Sequence, residues 1–281
     1  MYISDSTLDQ WLKEDVPYFD LTTMSLEIGA KTGVLEFRSR EPLVICGTEE
    51  VERMASKLGV HVLETVSSGT ELLEQQVFMK ISGKAEGLHL LWKVALNIFE
   101  YYSGISTRTR CLVDKAKQVN PEIAVATTRK TMPGTKAMSI KAVLCGGAVV
   151  HRLGLSETIL IFKQHRNFFD SDDLFLRKLA TLRNSVSEKK IIVEVENEEQ
   201  ALMFCRGNVD GIQYDKFTPH HLQTVIAQVK QQNPRLVHLA AGGINISNVE
   251  EYAACGADVL VTTSVYFSKP VDIGASMYEK M

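Results

Sequence analysis

The sequence predicts an α/β protein: an incomplete parallel α/β barrel preceded by an N-terminal α+β domain. Three observations predict it. From about Glu122 onward, six short apolar runs alternate with helical patterns. The first hundred residues read differently, as strands and amphipathic helices without that regular alternation. The second half is also too short for the eight strand–helix units of a full barrel, which takes roughly 250 residues. Alternation implies parallel strands, because each helix carries the chain back across the sheet.

The six runs are residues 123–126, 158–162, 191–195, 211–214, 236–239 and 258–262. Acidic or polar starts precede the intervening helices, as in Glu198-Glu199-Gln200 before Ala201 and Ser247-Asn248-Val249-Glu250-Glu251 before Tyr252. Earlier in the chain, residues 32–37 and 76–81 read as strands, with turns at Gly47 and Gly59. Residues 6–13, capped by Ser4 or Asp5, and residues 49–58 read as helices. A long helix is expected from near Leu88 past Tyr102, interrupted or ended by Gly104, with another helix toward Val119. The domains are accordingly set at 1–105 and 106–266.

A net charge of −3 over 281 residues gives no general attraction to nucleic acid or to an anionic membrane, so function must come from local charge placement. No uninterrupted apolar run approaches membrane-spanning length. The opening Met1-Tyr2-Ile3-Ser4-Asp5 lacks the basic and apolar regions of a signal peptide, and a cytoplasmic location is expected. The five cysteines are scattered singly, which fits neither metal-ligand spacing nor a closed disulfide framework.

Local charge is concentrated in Thr127-Thr128-Arg129-Lys130-Thr131-Met132-Pro133-Gly134, followed by Gly146-Gly147 and His151-Arg152-Leu153-Gly154-Leu155. Arg129, Lys130, His151 and Arg152, interleaved with turn residues, are built to hold a small, multiply anionic molecule: arginine offers a planar fork to carboxylate or phosphate, and lysine a point charge. Parallel barrels place function at the carboxyl ends of their strands. On the assigned strands, Arg129 and Lys130 follow the first, Lys163 and His165 end the second, and Glu194 lies in the third. Asp215 ends the fourth, Gly242-Gly243 follows the fifth, and Thr263-Ser264 closes the sixth. Glu194 and Asp215 suit ribose hydroxyls or Mg2+, a hard cation that prefers carboxylate oxygen. The Gly242-Gly243 turn, with Thr263 or Ser264 beside it, suits a phosphate. Each feature also has a purely structural explanation. The glycine pair reads equally as a tight turn, Glu194 as a solvent-facing strand residue, Asp215 as a helix cap, and His151 and His165 as core histidines.

The segment TTRKTMPGTKAMSIKAVLCGGAVVHRLGLSETILI closely resembles the core of quinolinate phosphoribosyltransferases, and the resemblance runs from Asp20-Leu21-Thr22-Thr23 to Pro270-Val271-Asp272-Ile273. Within that family the departures resemble the ModD branch, associated with molybdenum transport. The resemblance implies an incomplete barrel behind an N-terminal α+β sandwich domain, with the tail 267–281 packing back on that domain. It implies a homodimer or higher oligomer with shared active sites, in which Lys93 serves the partner's pocket. Arg129, Lys130, His151 and Arg152 then bind the acid, and Glu194 and Asp215 contact the ribose and Mg2+ of phosphoribosyl pyrophosphate. The implied reaction joins the ring nitrogen of quinolinate or a related heterocyclic acid to the ribose and releases pyrophosphate; with quinolinate, decarboxylation follows.

Several residues depart from the family pattern. Lys93 and Lys136 stand where arginines are expected, and the lysine of the second strand has moved one place to Lys163. Leu239 and Ala241 replace a glutamate and a serine, and Thr263 replaces a glycine. A one-residue shift along a strand turns a side chain to the opposite face unless a bulge compensates. Two other functions are therefore kept beside phosphoribosyl transfer: a non-catalytic anion- or nucleotide-binding protein of a molybdenum transport system, and a barrel isomerase acting on a sugar phosphate.

Overall fold

Oxygen side chains start the first helices by accepting amides that have no partner within the helix. Ser4 accepts from Thr7 N–H at the head of α1 (Asp5–Asp15), and Asp20 accepts from Thr22 and Thr23 ahead of α2 (Leu21–Ser25). There follow β1 (Thr32–Ser39), β2 (Leu43–Val44), α3 (Thr48–Lys57), β3 (His61–Thr65), β4 (Glu71–Leu72) and β5 (Val77–Lys84). Next comes α4 (Ala85–Val119), a single helix of 35 residues. The break expected at Gly104 does not occur. A Cβ there would lie 2.6 Å from the Lys269 carbonyl oxygen and 3.3 Å from Pro270 Cα. Gly104 admits a second backbone against the helix rather than ending it.

The chain continues through β6 (Ala124–Thr127), α5 (Lys136–Cys145), β7 (Val149–Val150), β8 (Ile159–Ile161), α6 (Lys163–Arg166) and α7 (Asp172–Ser185). It then passes β9 (Ile191–Val195), α8 (Glu198–Phe204), β10 (Gly211–Asp215), α9 (Pro219–Gln232), β11 (Val237–Ala241), α10 (Val249–Ala253), β12 (Val259–Thr262) and β13 (Ile273–Glu279). Ser171, Asn197 and Thr218 cap α7, α8 and α9, and Pro219 opens α9 where its missing N–H costs nothing.

The computed structural model describes residues 1–267 and 269–280, in two compact units. The first comprises Met1–Arg110, Met132–Gly147 and Tyr266–Met281. Its four-stranded antiparallel sheet has the order β13-β1-β5-β3, with Gly33 opposite Glu279 and Ser39 opposite Ile273. Phe37, Phe78 and Phe99 pack together in its core, with ring centroids 5.1–6.3 Å apart. By its contacts α5 groups with this unit. Lys141 on α5 is 8% exposed and is bound by Glu50, itself 2% exposed, and by Glu49 at 2.7 Å. Ser68 N–H also donates to Glu49, at 2.9 Å. Burial works against the Glu49 charge, yet Lys141 and Ser68 outweigh it and hold the carboxyl down at about 2.

The second unit comprises Cys111–Thr131 and Ala148–Val265. Its seven strands are parallel, in the order β7-β6-β12-β11-β10-β9-β8, and form an open half-barrel. The strand not expected from the sequence is β7, whose two residues are too few to show a period. Leu160, Ile192, Leu239, Ala241 and Val261 form one buried cluster, with Phe162, Val237 and Val259 packed against it. Register then fixes what joins them. Gln213 lies opposite Glu194 on one side and Leu239 on the other, and Asp215 lies opposite Ala241. Side chains alternate between faces along a strand. Glu194, Gln213 and Asp215 therefore stand on the face that carries the apolar cluster.

Candidate active site

At the carboxyl ends of the half-barrel strands the apolar cluster gives way to polar side chains. Gln213, 4% exposed, occupies the middle of the group. Its Nε2 donates to Glu194 Oε2 at 2.6 Å, and its Oε1 lies 2.8 Å from His151 Nε2. One buried amide thus links a residue of the basic motif to one of the predicted carboxylates. Burial raises the Glu194 carboxyl above its ordinary range. The Gln213 hydrogen bond opposes this, Asp215 and Glu196 add to it, and Lys130 draws it down. Glu194 is consequently within electrostatic reach of both Asp215 and Lys130.

The basic side is assembled in the same unit. Burial lowers the Arg152 guanidinium from its ordinary value, and the charge of Arg129 lowers it further. Arg152 sits 5.8 Å from the Phe162 ring centroid and has the Thr158 carbonyl oxygen at 3.5 Å. Lys130 and Arg129 are exposed just beyond β6, where Lys130 N–H donates to Thr128 Oγ1 at 3.3 Å. Arg129 and Arg152 are thus like charges within electrostatic reach of each other, an arrangement that suits an anion because the cost of crowding falls when one enters.

Asp215 ends β10 and does not cap α9, a role Thr218 fills by accepting from His221 N–H at 3.4 Å. Lys216 follows with φ 61°, a left-handed conformation uncommon for a residue with a side chain. Gly242 is required here. Its φ is +91°, and a Cβ would come within 2.7 Å of Asp215 Oδ1 and of Lys216 N. Gly243, at φ +80°, has nothing within 4 Å of its would-be Cβ. Asn245 and Asn248 both donate to the Gly243 carbonyl, at 2.9 and 3.1 Å, and fix the loop. On the neighbouring strand end, the Thr263 and Thr128 hydroxyls are 2.9 Å apart, and Ser264 N–H donates to Thr262 Oγ1 at 3.1 Å.

Other predicted residues have different surroundings. Phe162 packs against the lumen cluster, and the displaced Lys163 opens α6 with its ammonium 3.0 Å from Glu196. His165 Nδ1 accepts from Phe162 N–H at 3.0 Å. Lys93 lies on α4 in the first unit, its ammonium 4.3 Å from the Trp92 ring centroid. Leu239 and Ala241 fill the buried cluster. Gln213 was missed because a single polar residue in a short strand run reads as the solvent-facing half of an alternation. The available signal was its neighbours, Ile212 and Tyr214, which also look buried.

Among the described residues no group of three or more His, Cys, Asp or Glu side chains is arranged to hold a metal. Glu194 and Asp215 nonetheless fit a hard divalent cation that keeps water and substrate oxygens for the rest of its shell, as Mg2+ does. They stand on one face of adjacent strands, Asp215 two residues along from the Gln213 that pairs with Glu194, and both offer carboxylate oxygen. No helix among the described residues is long and apolar enough to cross a membrane.

The second unit therefore falls in the class of parallel α/β half-barrels that carry clustered cations and carboxylates at their strand ends. The comparisons narrow this class. Family models described as the quinolinate phosphoribosyl transferase N-terminal and C-terminal domains match residues 20–103 and 105–276. The chain belongs to the quinolinate phosphoribosyl transferase family. Its relatives include the ModD protein of Rhodobacter capsulatus, provisionally named a pyrophosphorylase, at 38% identity over 88% of this chain and 94% of that protein. ModD of Escherichia coli O157:H7 is 32% identical over 99% of this chain and 98% of its own. Among solved structures, nicotinate-nucleotide pyrophosphorylase from Ehrlichia chaffeensis has a TM-score of 0.89 at 26% identity, covering 99% of this chain and 100% of that one. NadC from Streptococcus pyogenes, at 23% identity, has a TM-score of 0.88 over 99% of this chain and 98% of that one and is alike in fold.

Proposed function

We propose that this protein is a phosphoribosyltransferase, transferring phosphoribosyl from phosphoribosyl pyrophosphate to the ring nitrogen of quinolinate or a related heterocyclic acid. The observation that carries the reading is the bridge from His151 through Gln213 to Glu194, which couples the basic cluster to the carboxylates. Membership of the family and the nicotinate-nucleotide pyrophosphorylase names of several relatives support the same chemistry.

In this reading Arg129, Lys130 and Arg152 receive the carboxylates of the acid, because arginine forks match them in plane and geometry. His151 stands at the edge of that group and orients the ring. Glu194 and Asp215 face the ribose hydroxyls, whose hydrogen bonds to carboxylate strengthen as the sugar carbon becomes cationic. The C1–N bond forms as the C1–oxygen bond to pyrophosphate breaks, and the bonding pair leaves with the pyrophosphate. Glu194 and Asp215 are also the residues that would hold Mg2+, which when bound neutralises charge on the leaving group. The Gly242–Gly243 turn, Thr263 and Ser264 take the 5′-phosphate end. Lys93 reaches the site of a second copy in a homodimer, and Lys163 and His165 border the acid after a small rearrangement of α6.

The test is pyrophosphate release with Mg2+, phosphoribosyl pyrophosphate and a panel of heterocyclic acids that includes quinolinate and nicotinate. Release with any acid supports the reading. A folded protein that binds phosphoribosyl pyrophosphate but releases none across the panel would overturn it in favour of an anion- or nucleotide-binding protein.

A further inference from the structure

We infer that Gln213 is a positioning residue that fixes which nitrogen of His151 carries a proton, and through it selects the acceptor acid. The inference rests on the proposed transferase reading for the acid, but its first step rests on geometry alone.

A buried amide must satisfy both its ends. The Glu194 carboxylate is only an acceptor, so the Gln213 group 2.6 Å from it is the NH2 end. The carbonyl end is then the atom 2.8 Å from His151 Nε2, and it accepts the proton that Nε2 carries. A neutral His151 is therefore held as the Nε2–H form, with Nδ1 left as a hydrogen-bond acceptor. Gln213 is 4% exposed and paired in register with Glu194 and Leu239, so the amide is locked from both sides of its strand. His151 is partly exposed. Its Nε2 is turned to Gln213, which leaves Nδ1, across the ring, as the atom to meet a ligand.

The consequence is a chemical preference. Arg129, Arg152 and Lys130 already supply cationic donors for carboxylates. An acceptor nitrogen beside them suits an acid that carries a hydrogen-bond donor, such as a hydroxyl or amino substituent, next to a carboxylate. A second carboxylate at that position would meet a lone pair instead.

The test has two arms. Nitrogen NMR of histidine-labelled protein, with the His151 signal assigned by loss in His151→Asn, reads the tautomer of the neutral ring. The wild type should show the Nε2–H form, and Gln213→Met should show a mixture. In the second arm, calorimetry compares quinolinate with hydroxy- and amino-substituted pyridine carboxylates. The wild type should favour a donor-bearing acid by about tenfold, the scale of one hydrogen bond, and Gln213→Met should lose that ranking. A wild-type ring protonated on Nδ1, or an unchanged ranking in Gln213→Met, overturns the inference. If Gln213→Met does not fold, the wild-type tautomer and ranking decide alone. Correct tautomer and ranking without turnover would spare the inference and sink the transferase reading.

Discussion

In the first unit Lys141 is enclosed by Glu49 and Glu50, each of opposite charge, with Ser68 completing the set. In the second unit Arg152 is crowded by Arg129, and Glu194 by Asp215 and Glu196. The same side-chain chemistry serves opposite ends. Around Lys141 each charge has its counter-charge inside the protein, so the group is complete and holds α5 in place. At the strand ends like charges are gathered within reach of one another, and the cations nearest the carboxylates, Lys130, Lys163 and Lys216, are exposed. Burial alone does not separate the two; the sign of the neighbours does.

The contrast is broken most severely at Lys141. Lys141→Ala leaves Glu50 buried without its cation and is expected to cost about 3–5 kcal/mol of stability, read as a shift in the urea unfolding midpoint. A midpoint unchanged from wild type would mean the cluster is not structural. Arg152→Ala should behave in the reverse way. Its unfolding midpoint should stay close to wild type, because removing one of two crowded cations relieves repulsion, while pyrophosphate release falls on the order of a hundredfold, the lower end of what one charge-stabilising donor contributes. If Lys93 serves the partner's pocket, mixed Lys93→Ala and Arg152→Ala dimers should recover part of the activity, and verified heterodimers without recovery would count against a shared site.

A further test separates the units by pH. His238 is fully buried beside Tyr214, 2.9 Å from its hydroxyl, and burial pushes its pKa from 6.5 to about 4. The unfolded chain takes up a proton that the folded chain refuses. Stability is thus complete above about pH 6.5 and falls toward pH 4, by about 2–3 kcal/mol over the interval. Glu49, held at about 2, keeps its contribution above its ordinary 4.5 and loses it only below that. The second unit should weaken first on acidification, and His238→Gln should flatten the loss between pH 6.5 and 4.5. A wild-type midpoint constant over that range would contradict this. The smallest effect is expected at Lys163, 55% exposed and paired with Glu196. Lys163→Ala should change stability by no more than about 0.5 kcal/mol and activity far less than Arg152→Ala.

Much of the half-barrel was legible because parallel strands buried on both faces leave apolar runs at a regular spacing. The strand β7 was not, and neither was the continuity of α4 through Gly104, since a glycine chosen for close approach has the same sequence signature as one that ends a helix. The placement of α5 depended on pairing Lys141 with residues some ninety positions earlier, which no local pattern records. At the site, Arg129, Lys130, His151 and Arg152 stood out by density, and Glu194 and Asp215 by strand-end position. Gln213 did not, because its importance comes from which residues its strand neighbours present in register. Lys163 shows the converse. The one-residue shift was visible, but only the structure gives Phe162 a place against the lumen cluster and Lys163 its partner in Glu196.

The pairing of β13 with β1 has a consequence during synthesis. The edge of β1 that β13 covers lies near the start of the chain, while β13 is the last strand described. As the polypeptide leaves the ribosome, that edge exposes unpaired N–H and C=O groups until the half-barrel segments have been made, and such edges template aggregation. A nascent chain stalled before residue 273 should therefore be a better client for chaperones than one extended past β13.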